Sequence, residues 1–380
     1  ENVNALDVLK NEMSKYNPVI DNLLESRFVG GAVGFFGYDI INQFEPRVPL
    51  SENDDIGNPD MVYMITDGLI IFDNLKDSII VLIHAHVKDN KDQAYTDALS
   101  KLDDLKKAVN YQCNDSIIKV PKNLSLLNYS SNTTKNEYVN MVKKAKEYIL
   151  SGDVVQVVLS QRFEANNHAD SIDVYKSLRQ INPSPYMFCL DMGDSSIVGT
   201  SPEIHVRCQN DRVEVRPIAG TRPRGSTNQQ DDNFENELLN DPKEIAEHIM
   251  LVDLGRNDIG RVCDYKSIDV PEFMVIERYS HVMHIVSNVV GKYNNKFSKF
   301  KSLMAGFPAG TVSGAPKIRA MEIIDELETT KRKVYAGGIG YFSANGEFDT
   351  CIALRTAVAK GDKFYVQAGA GIVADSKPLK

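Results

Sequence analysis

A succession of strand-length apolar runs constrains this chain more than any other feature. Runs at 28–38, 61–72, 78–86, 154–163, 187–191, 196–199, 204–208, 213–215, 335–342, 350–359 and 363–368 read as strands, bounded by turn signals such as Asp73-Asn74. None approaches the roughly 18 apolar residues of a membrane-crossing helix, so no membrane association is expected. Helical periodicity occupies 91–108, 135–151, 174–181, 241–254 and 315–327. In 135–151, Tyr138, Met141, Val142, Ala145, Tyr148 and Ile149 share one face. In 241–254, Asp241 is placed to cap, Pro242 sits in the first turn and Glu244 completes a capping-box pattern. Residues 109–134 are polar and read as a connection. The expected fold is α+β, with largely antiparallel sheets flanked by helices. Residues 1–130 are expected to form an N-terminal region packed on a core built from 131–380.

A net charge of −9 argues against a nucleic-acid partner, which would need a basic face. It does not exclude an anionic small substrate, because local arginines and backbone amides outweigh a global charge. The five cysteines, Cys113, Cys189, Cys208, Cys263 and Cys351, are odd in number and form no CxxC pair. A disulfide framework or zinc site is not expected, and a reducing cytoplasmic location fits. The start, Glu1-Asn2-Val3-Asn4, carries no signal-peptide pattern and reads as a trimmed terminus.

Several residue groups could carry chemistry. Glu244 and Glu247 are spaced to share a helix face, either as a solvated acidic surface or as hard oxygen donors for magnesium. His281 and His284 are structural or catalytic histidines, which spacing alone does not separate. The loop Phe307-Pro-Ala-Gly-Thr-Val-Ser-Gly-Ala-Pro-Lys317 leads into a helix and could present amides to an anion. It lacks the Gly-Lys-Ser/Thr ending of a nucleotide-binding phosphate loop. Arg355, in the apolar strand-like run Cys-Ile-Ala-Leu-Arg-Thr, needs an anionic partner if buried: a substrate or a protein carboxylate.

One ordered set of motifs is specific. It comprises Gly-Asp-Val-Val-Gln-Val-Val-Leu-Ser (152–160), Gly-Thr-Ser-Pro-Glu (199–203), Arg-Pro-Ile-Ala-Gly-Thr-Arg (216–222), Asp-Pro-Lys-Glu-Ile-Ala-Glu-His (241–248), Arg-Asn-Asp-Ile-Gly-Arg-Val (256–262), Ser-His-Val-Met-His (280–284), Pro-Ala-Gly-Thr-Val-Ser-Gly-Ala-Pro-Lys (308–317) and Gln-Ala-Gly-Ala-Gly-Ile-Val-Ala-Asp-Ser (367–376). Across residues 28–376 this resembles the chorismate-binding enzyme family, and within it the anthranilate synthase large-subunit branch. The resemblance implies a sheet-rich sandwich and a Mg2+-dependent lyase that makes anthranilate and pyruvate from chorismate and ammonia. Glutamine-derived ammonia would come from a separate glutamine amidotransferase subunit, since none of the five cysteines has a nucleophile context. By position, His284, Glu203, Thr311 and Gln156 resemble catalytic residues, Glu203 being the acid for loss of the C4 hydroxyl. Gly220 and Thr221 resemble contacts to a substrate carboxylate. Tyr335, Arg355, Gly369, Ala370 and Gly371 resemble the rest of the chorismate pocket. Glu247 resembles a direct magnesium ligand and Glu244 a water-mediated one. Pro185, Tyr186 and Met187 resemble half of a pocket for L-tryptophan as feedback inhibitor.

Two positions distinguish family branches. Water-adding members resemble this chain but with a basic Lys where Gln156 stands, and an amide cannot act as a base near neutral pH. Aminodeoxychorismate synthases, the runner-up function, often carry Lys where Ala219 stands. A non-catalytic chorismate or aromatic amino acid sensor is a third alternative, disfavoured by Glu203, Glu247 and His284. The family's second metal-binding carboxylate cluster follows the 367–376 segment, so a chain ending at Lys380 is expected to be trimmed there. About a hundred N-terminal family residues are likewise expected to be missing. They would carry a Leu-Leu-Glu-Ser inhibitor element, and Leu23-Leu24-Glu25-Ser26 reads as a coincidental match to it.

Overall fold

The computed structural model describes residues 4–19, 28–110 and 128–379, so the Leu23–Ser26 tetrapeptide and Cys113 lie outside the described residues. The α+β expectation holds. Nine strands form one sheet, seven another, and two a separate hairpin; all the pairings described are antiparallel. Along the first sheet the order is Ile218–Pro223, Val282–Lys292, Arg212–Val215, Ile204–Gln209, Phe348–Ile352, Gly338–Ser343, Gly31–Phe36 and Met61–Thr66, with Asp269–Arg278 paired onto Val282–Lys292. Along the second it is Gly314–Ala315, Gln156–Asn166, Lys363–Ile372, Thr356–Lys360, Ser195–Ser201 and Tyr186–Asp191, with Tyr129–Ser131 against Gln156–Asn166. Phe35, Ile339 and Cys351 of the first sheet share a buried cluster with Ile197 and Val358 of the second, so the sheets face each other as a sandwich. A larger cluster packs Met141, Val142 and Ala145 of helix Lys135–Leu150 and Ala320, Met321 and Ile324 of helix Lys317–Leu327 against the strands.

The structure corrects several boundaries. The run 61–72 is two strands, Met61–Thr66 and Gly68–Asp73, which belong to different sheets; Asp67 and Gly68 interrupt an otherwise continuous apolar pattern. The run 350–359 is also two strands. Phe348–Ile352 lies in the first sheet and Thr356–Lys360 in the second, so Arg355 stands in a crossover with φ of 48° rather than in a strand. A second crossover joins Ser195–Ser201 to Ile204–Gln209 and contains Glu203. The two crossovers are tied by backbone hydrogen bonds, Ile352 N–H to Glu203 O at 3.1 Å and Thr200 N–H to Arg355 O at 3.2 Å. The helix expected at 241–254 runs from Pro242 to Gly260. Asp241 caps it by accepting from the Lys243 and Glu244 amides, but Glu244 turns to Arg222 instead of closing a capping box.

One buried ion pair joins the layers. Glu328 accepts from Arg332 at 2.6 and 2.8 Å. The same guanidinium donates to the carbonyls of Val312 and Val158, both at 2.7 Å. Glu328 also accepts from the Ser160 amide at 2.7 Å and hydroxyl at 2.9 Å. Tyr38 and Tyr335 place their rings 4.7 and 5.6 Å from the guanidinium. With every polar atom committed, the pair fixes the turn carrying Thr311 against the strand that begins at Gln156. Removing one partner leaves a buried charge uncompensated, which costs about 3–5 kcal/mol. Arg332→Leu and Glu328→Leu are each expected to destabilise the fold by that amount in urea titrations, and the double substitution by less than the two losses added together.

Candidate active site

Glu203 and Arg355, far apart in sequence, are brought together because each occupies a place where the chain leaves one sheet for the other. Glu203 is 6% exposed. Its carboxyl accepts from the Thr311 hydroxyl at 3.2 Å and from the Ile218 amide. Burial outweighs both hydrogen bonds and raises its pKa from 4.5 to about 8. At neutral pH this side chain is therefore a carboxylic acid, able to donate a proton.

His284 lies on Val282–Lys292, directly across from Thr221 on Ile218–Pro223. Its Nδ1 is 3.0 Å from the Gly220 carbonyl and 3.1 Å from the Thr221 hydroxyl. A carbonyl only accepts, so Nδ1 carries the hydrogen and Nε2 is the basic nitrogen. Burial lowers the imidazole pKa, and the Gly220 hydrogen bond opposes it. Gly220 has φ of 72°, a conformation that glycine adopts freely, and a Cβ there would meet Glu244 Oε2 at 3.3 Å. Arg355 makes no ion pair among the described residues, which leaves its guanidinium for an anion from outside the chain. Burial lowers its pKa, and the neighbouring Tyr279 phenol counters this.

Gln156, 5% exposed, donates from Nε2 to Glu247 Oε1 at 2.9 Å, and its own Oε1 is buried without a partner. Glu244 is 3.3 Å from Arg222, which also binds Asp241 and Glu237. The two carboxylates thus differ: Glu247 faces a neutral amide, whereas Glu244 is partly neutralised by a cation. Tyr335 is buried, and a Cβ at Gly369 would come within 2.4 Å of its hydroxyl. Gly369, Ala370 and Gly371 pair with Ser160, Leu159 and Val158. A cavity of about 470 Å³ opens beside Gln156 and Glu247, walled by Val154, Met250 and Val373; it does not reach Glu203, His284 or Arg355. Among the described residues no three His, Cys, Asp or Glu side chains converge on a common metal position.

Pro185, Tyr186 and Met187 stand apart from this group, at the edge of the second sheet. Tyr186 and Met187 pair with Ser201 and Thr200, and Ser201 stands two residues before Glu203. The Tyr186 hydroxyl donates to Asp349 at 2.7 Å and accepts from Arg207 at 2.7 Å. His281 is placed on the turn before Val282–Lys292, with Ser280 Oγ 2.8 Å from its Nδ1. Sequence reasoning missed Tyr279, whose ring meets His284 edge-on at 5.6 Å and whose hydroxyl donates to Glu277 at 2.6 Å. It also missed Arg222, which lies inside a quoted motif but whose acidic partners come from two separate helices or their caps.

Comparison with known proteins adds to this geometry. Residues 3–380 match the family described as chorismate binding enzyme. Anthranilate synthase component 1 of Acetivibrio thermocellus is 48% identical over 382 residues, covering 99% of this chain and 76% of that protein. The crystal structure of anthranilate synthase component I from Streptococcus pneumoniae superposes with a TM-score of 0.88 at 40% identity, covering 97% of this chain and 81% of that one. The menaquinone-specific isochorismate synthase of Escherichia coli shares the fold, with a TM-score of 0.70 at 17% identity over 99% of this chain and 96% of its own.

The elevated Glu203 pKa carries a stability signature. A carboxyl whose folded pKa lies above its unfolded value contributes stability at low pH and loses it as pH rises through the folded value. The stability of Glu203→Gln relative to the parent is therefore expected to rise as pH increases from about 4.5 to about 8 and to level off above that. Chemical denaturation at a series of pH values from about 5 to about 9 checks this, and a pH-independent difference throughout would contradict the buried-acid assignment.

Proposed function

Because the chain belongs to the chorismate binding enzyme family, we propose that it makes anthranilate and pyruvate from chorismate and ammonia, as the large subunit of an anthranilate synthase. The observation that carries this reading is a buried carboxylic acid and an unpaired arginine on neighbouring crossovers, next to a neutral histidine. Chorismate is a dianion. Arg355 suits one carboxylate, supported by backbone along Gly369, Ala370 and Gly371, with Gly220 and Thr221 serving the other. Ammonia adds at C2 as the ring double bonds shift and the C4–O bond breaks; Glu203 donates its proton to the departing hydroxyl, releasing water, and the proton shed by the new ammonium group restores the acid. Neutral His284 then takes the C2 proton as the C3–O bond breaks, the ring aromatises, and the expelled enolpyruvate recovers that proton at its methylene carbon to become pyruvate. Thr311 holds the acid in place. Gln156 supplies no base, which suits an amine nucleophile better than water. Ala219, where aminodeoxychorismate synthases often carry Lys, favours the anthranilate product over that alternative.

Glu247 and Glu244 suit Mg2+, which is commonly held by one or two carboxylates together with substrate oxygens and water. The unpartnered Gln156 Oε1 beside Glu247 is a further hard oxygen donor. The ion would supply charge neutralisation at the ring carboxylate. In the cell, ammonia would come from a glutamine amidotransferase subunit, component II, and a cytoplasmic location fits such a partnership. The segment Pro185, Tyr186 and Met187 would contribute to an L-tryptophan site, and its pairing with Thr200 and Ser201 gives it a direct path to the acid.

Incubation of the protein with chorismate, Mg2+ and ammonium salt is expected to yield fluorescent anthranilate directly. Aminodeoxychorismate as product would overturn the branch assignment, and glutamine hydrolysis by this chain alone would overturn the need for a partner. Glu247→Gln is expected to abolish turnover by removing the charge a hard dication favours. Undiminished parent activity in excess chelator would refute the metal. In calorimetric titrations without ammonia, saturating chorismate is expected to weaken tryptophan binding by the same factor that tryptophan weakens chorismate binding; equal tryptophan affinity in both would reject the antagonism.

A further inference from the structure

Beside Glu203 lies a cavity of about 40 Å³ whose lining does not include Arg355 or His284. Its walls include Glu203, His205, Arg216, Asp258 and Thr311. His205 is 3% exposed, and its tautomer follows from its neighbours. The Thr350 hydroxyl gives its one hydrogen to the Val206 carbonyl at 2.8 Å, so it can only accept from His205 Nδ1, 3.3 Å away. Nδ1 therefore carries the hydrogen, and Nε2 is a buried lone pair without a partner. The Gly306 carbonyl in the same wall faces the imidazole without closing a hydrogen bond to Nε2, and it accepts from Lys317 at 3.4 Å. Arg216 Nε, a buried donor, is also without a partner. A buried acceptor, a buried donor and a carboxyl around a cavity wider than the roughly 10–15 Å³ one water needs make a polar site with sufficient ligands.

We propose that this cavity is a site for one ordered water, held by His205 Nε2 and Arg216 Nε and directed at the Glu203 carboxyl, so that His205 is a positioning residue for the acid. The proposal rests on Glu203 being the proton donor. By accepting one hydrogen, Nε2 leaves the other aimed at Glu203. The water then solvates the carboxylate that forms as the proton moves to the leaving hydroxyl, without releasing a proton itself. The other ionisable groups around Glu203 are Arg355, His284 and Tyr279 on the substrate side and, in the cavity wall, Arg216 and the Asp258–Lys317 pair joined at 2.6 Å. Among the described residues none of these is hydrogen-bonded to the carboxyl, whose donors are the Thr311 hydroxyl and the Ile218 amide.

The test compares His205→Leu with His205→Gln in ammonia-dependent turnover of the full chain. His205→Leu is expected to lower kcat about tenfold with KM unchanged. It should also shift the basic limb of the kcat profile to higher pH, because the carboxylate has lost a donor. His205→Gln, whose amide oxygen is an acceptor, should restore both. A His205→Leu enzyme with the parent kcat and basic limb overturns the proposal, as does loss of kcat without a pH shift. Should His205→Leu fail to fold, the parent protein decides. A high-resolution crystal structure with water density within hydrogen-bond distance of Nε2 and Glu203 supports the site, and ¹⁵N shifts showing Nε2 protonated overturn it. Glu203→Gln separates the two claims: retained turnover would overturn the acid assignment, whereas the crystallographic water does not depend on it.

Discussion

The Glu328–Arg332 pair is the contact on which the geometry of the site depends. Isolated in a core it would be a liability, since desolvating two charges costs more than their attraction returns unless the remaining hydrogen-bonding capacity is met. Here it is met by backbone. Arg332 binds the carbonyls of Val312 and Val158, and Glu328 binds the Ser160 amide. Those three residues belong to the Thr311 turn and to the strand that starts at Gln156. An apolar replacement could fill the space but could not hold both segments at fixed separation. The pair is thus better understood as a device for register than as a source of net stability.

From that fixed register the proposed acid chemistry follows through burial. A carboxyl at Glu203 on an exposed loop would be ionised at neutral pH and useless as an acid. The crossover between sheets places it where desolvation dominates, and Thr311 and the Ile218 amide orient it without lowering its pKa to the ordinary value. Arg355 occupies the companion crossover with no carboxylate of the protein to neutralise it. The two crossovers share backbone hydrogen bonds, so acid and cation move as one unit. The same low-dielectric position that makes the acid strongly protonated also sharpens the attraction between Arg355 and an anionic substrate.

Much of this was legible from residue order. Strand-length runs and helical periodicity led to the antiparallel α+β sandwich, and the motifs around Glu203, His284 and Glu247 marked the segments that converge. What periodicity could not reveal is where a strand changes sheet. Residues 350–359 keep an apolar pattern throughout because both halves are buried, in different sheets, and only the positive φ at Arg355 marks the break. Likewise, Glu244 reads as the closing arm of a capping box, yet Arg222, brought alongside by the strand Ile218–Pro223, offers it a full charge. A local hydrogen bond to one amide loses to an ion pair that tertiary structure supplies.

That competition separates two carboxylates that look equivalent on a helical wheel. Glu244 is drawn toward Arg222, a cation it shares with Asp241 and Glu237, so part of its charge is already compensated. Glu247 meets only the amide of Gln156, a partner that orients an oxygen without neutralising it. A basic side chain at position 156 would pair with Glu247 and cancel the negative charge at that end of the pocket. The neutral amide therefore does two things at once. It leaves Glu247 without a cationic partner among the described residues, as the proposed metal would require, and in the proposed reaction it offers no base to the nucleophile.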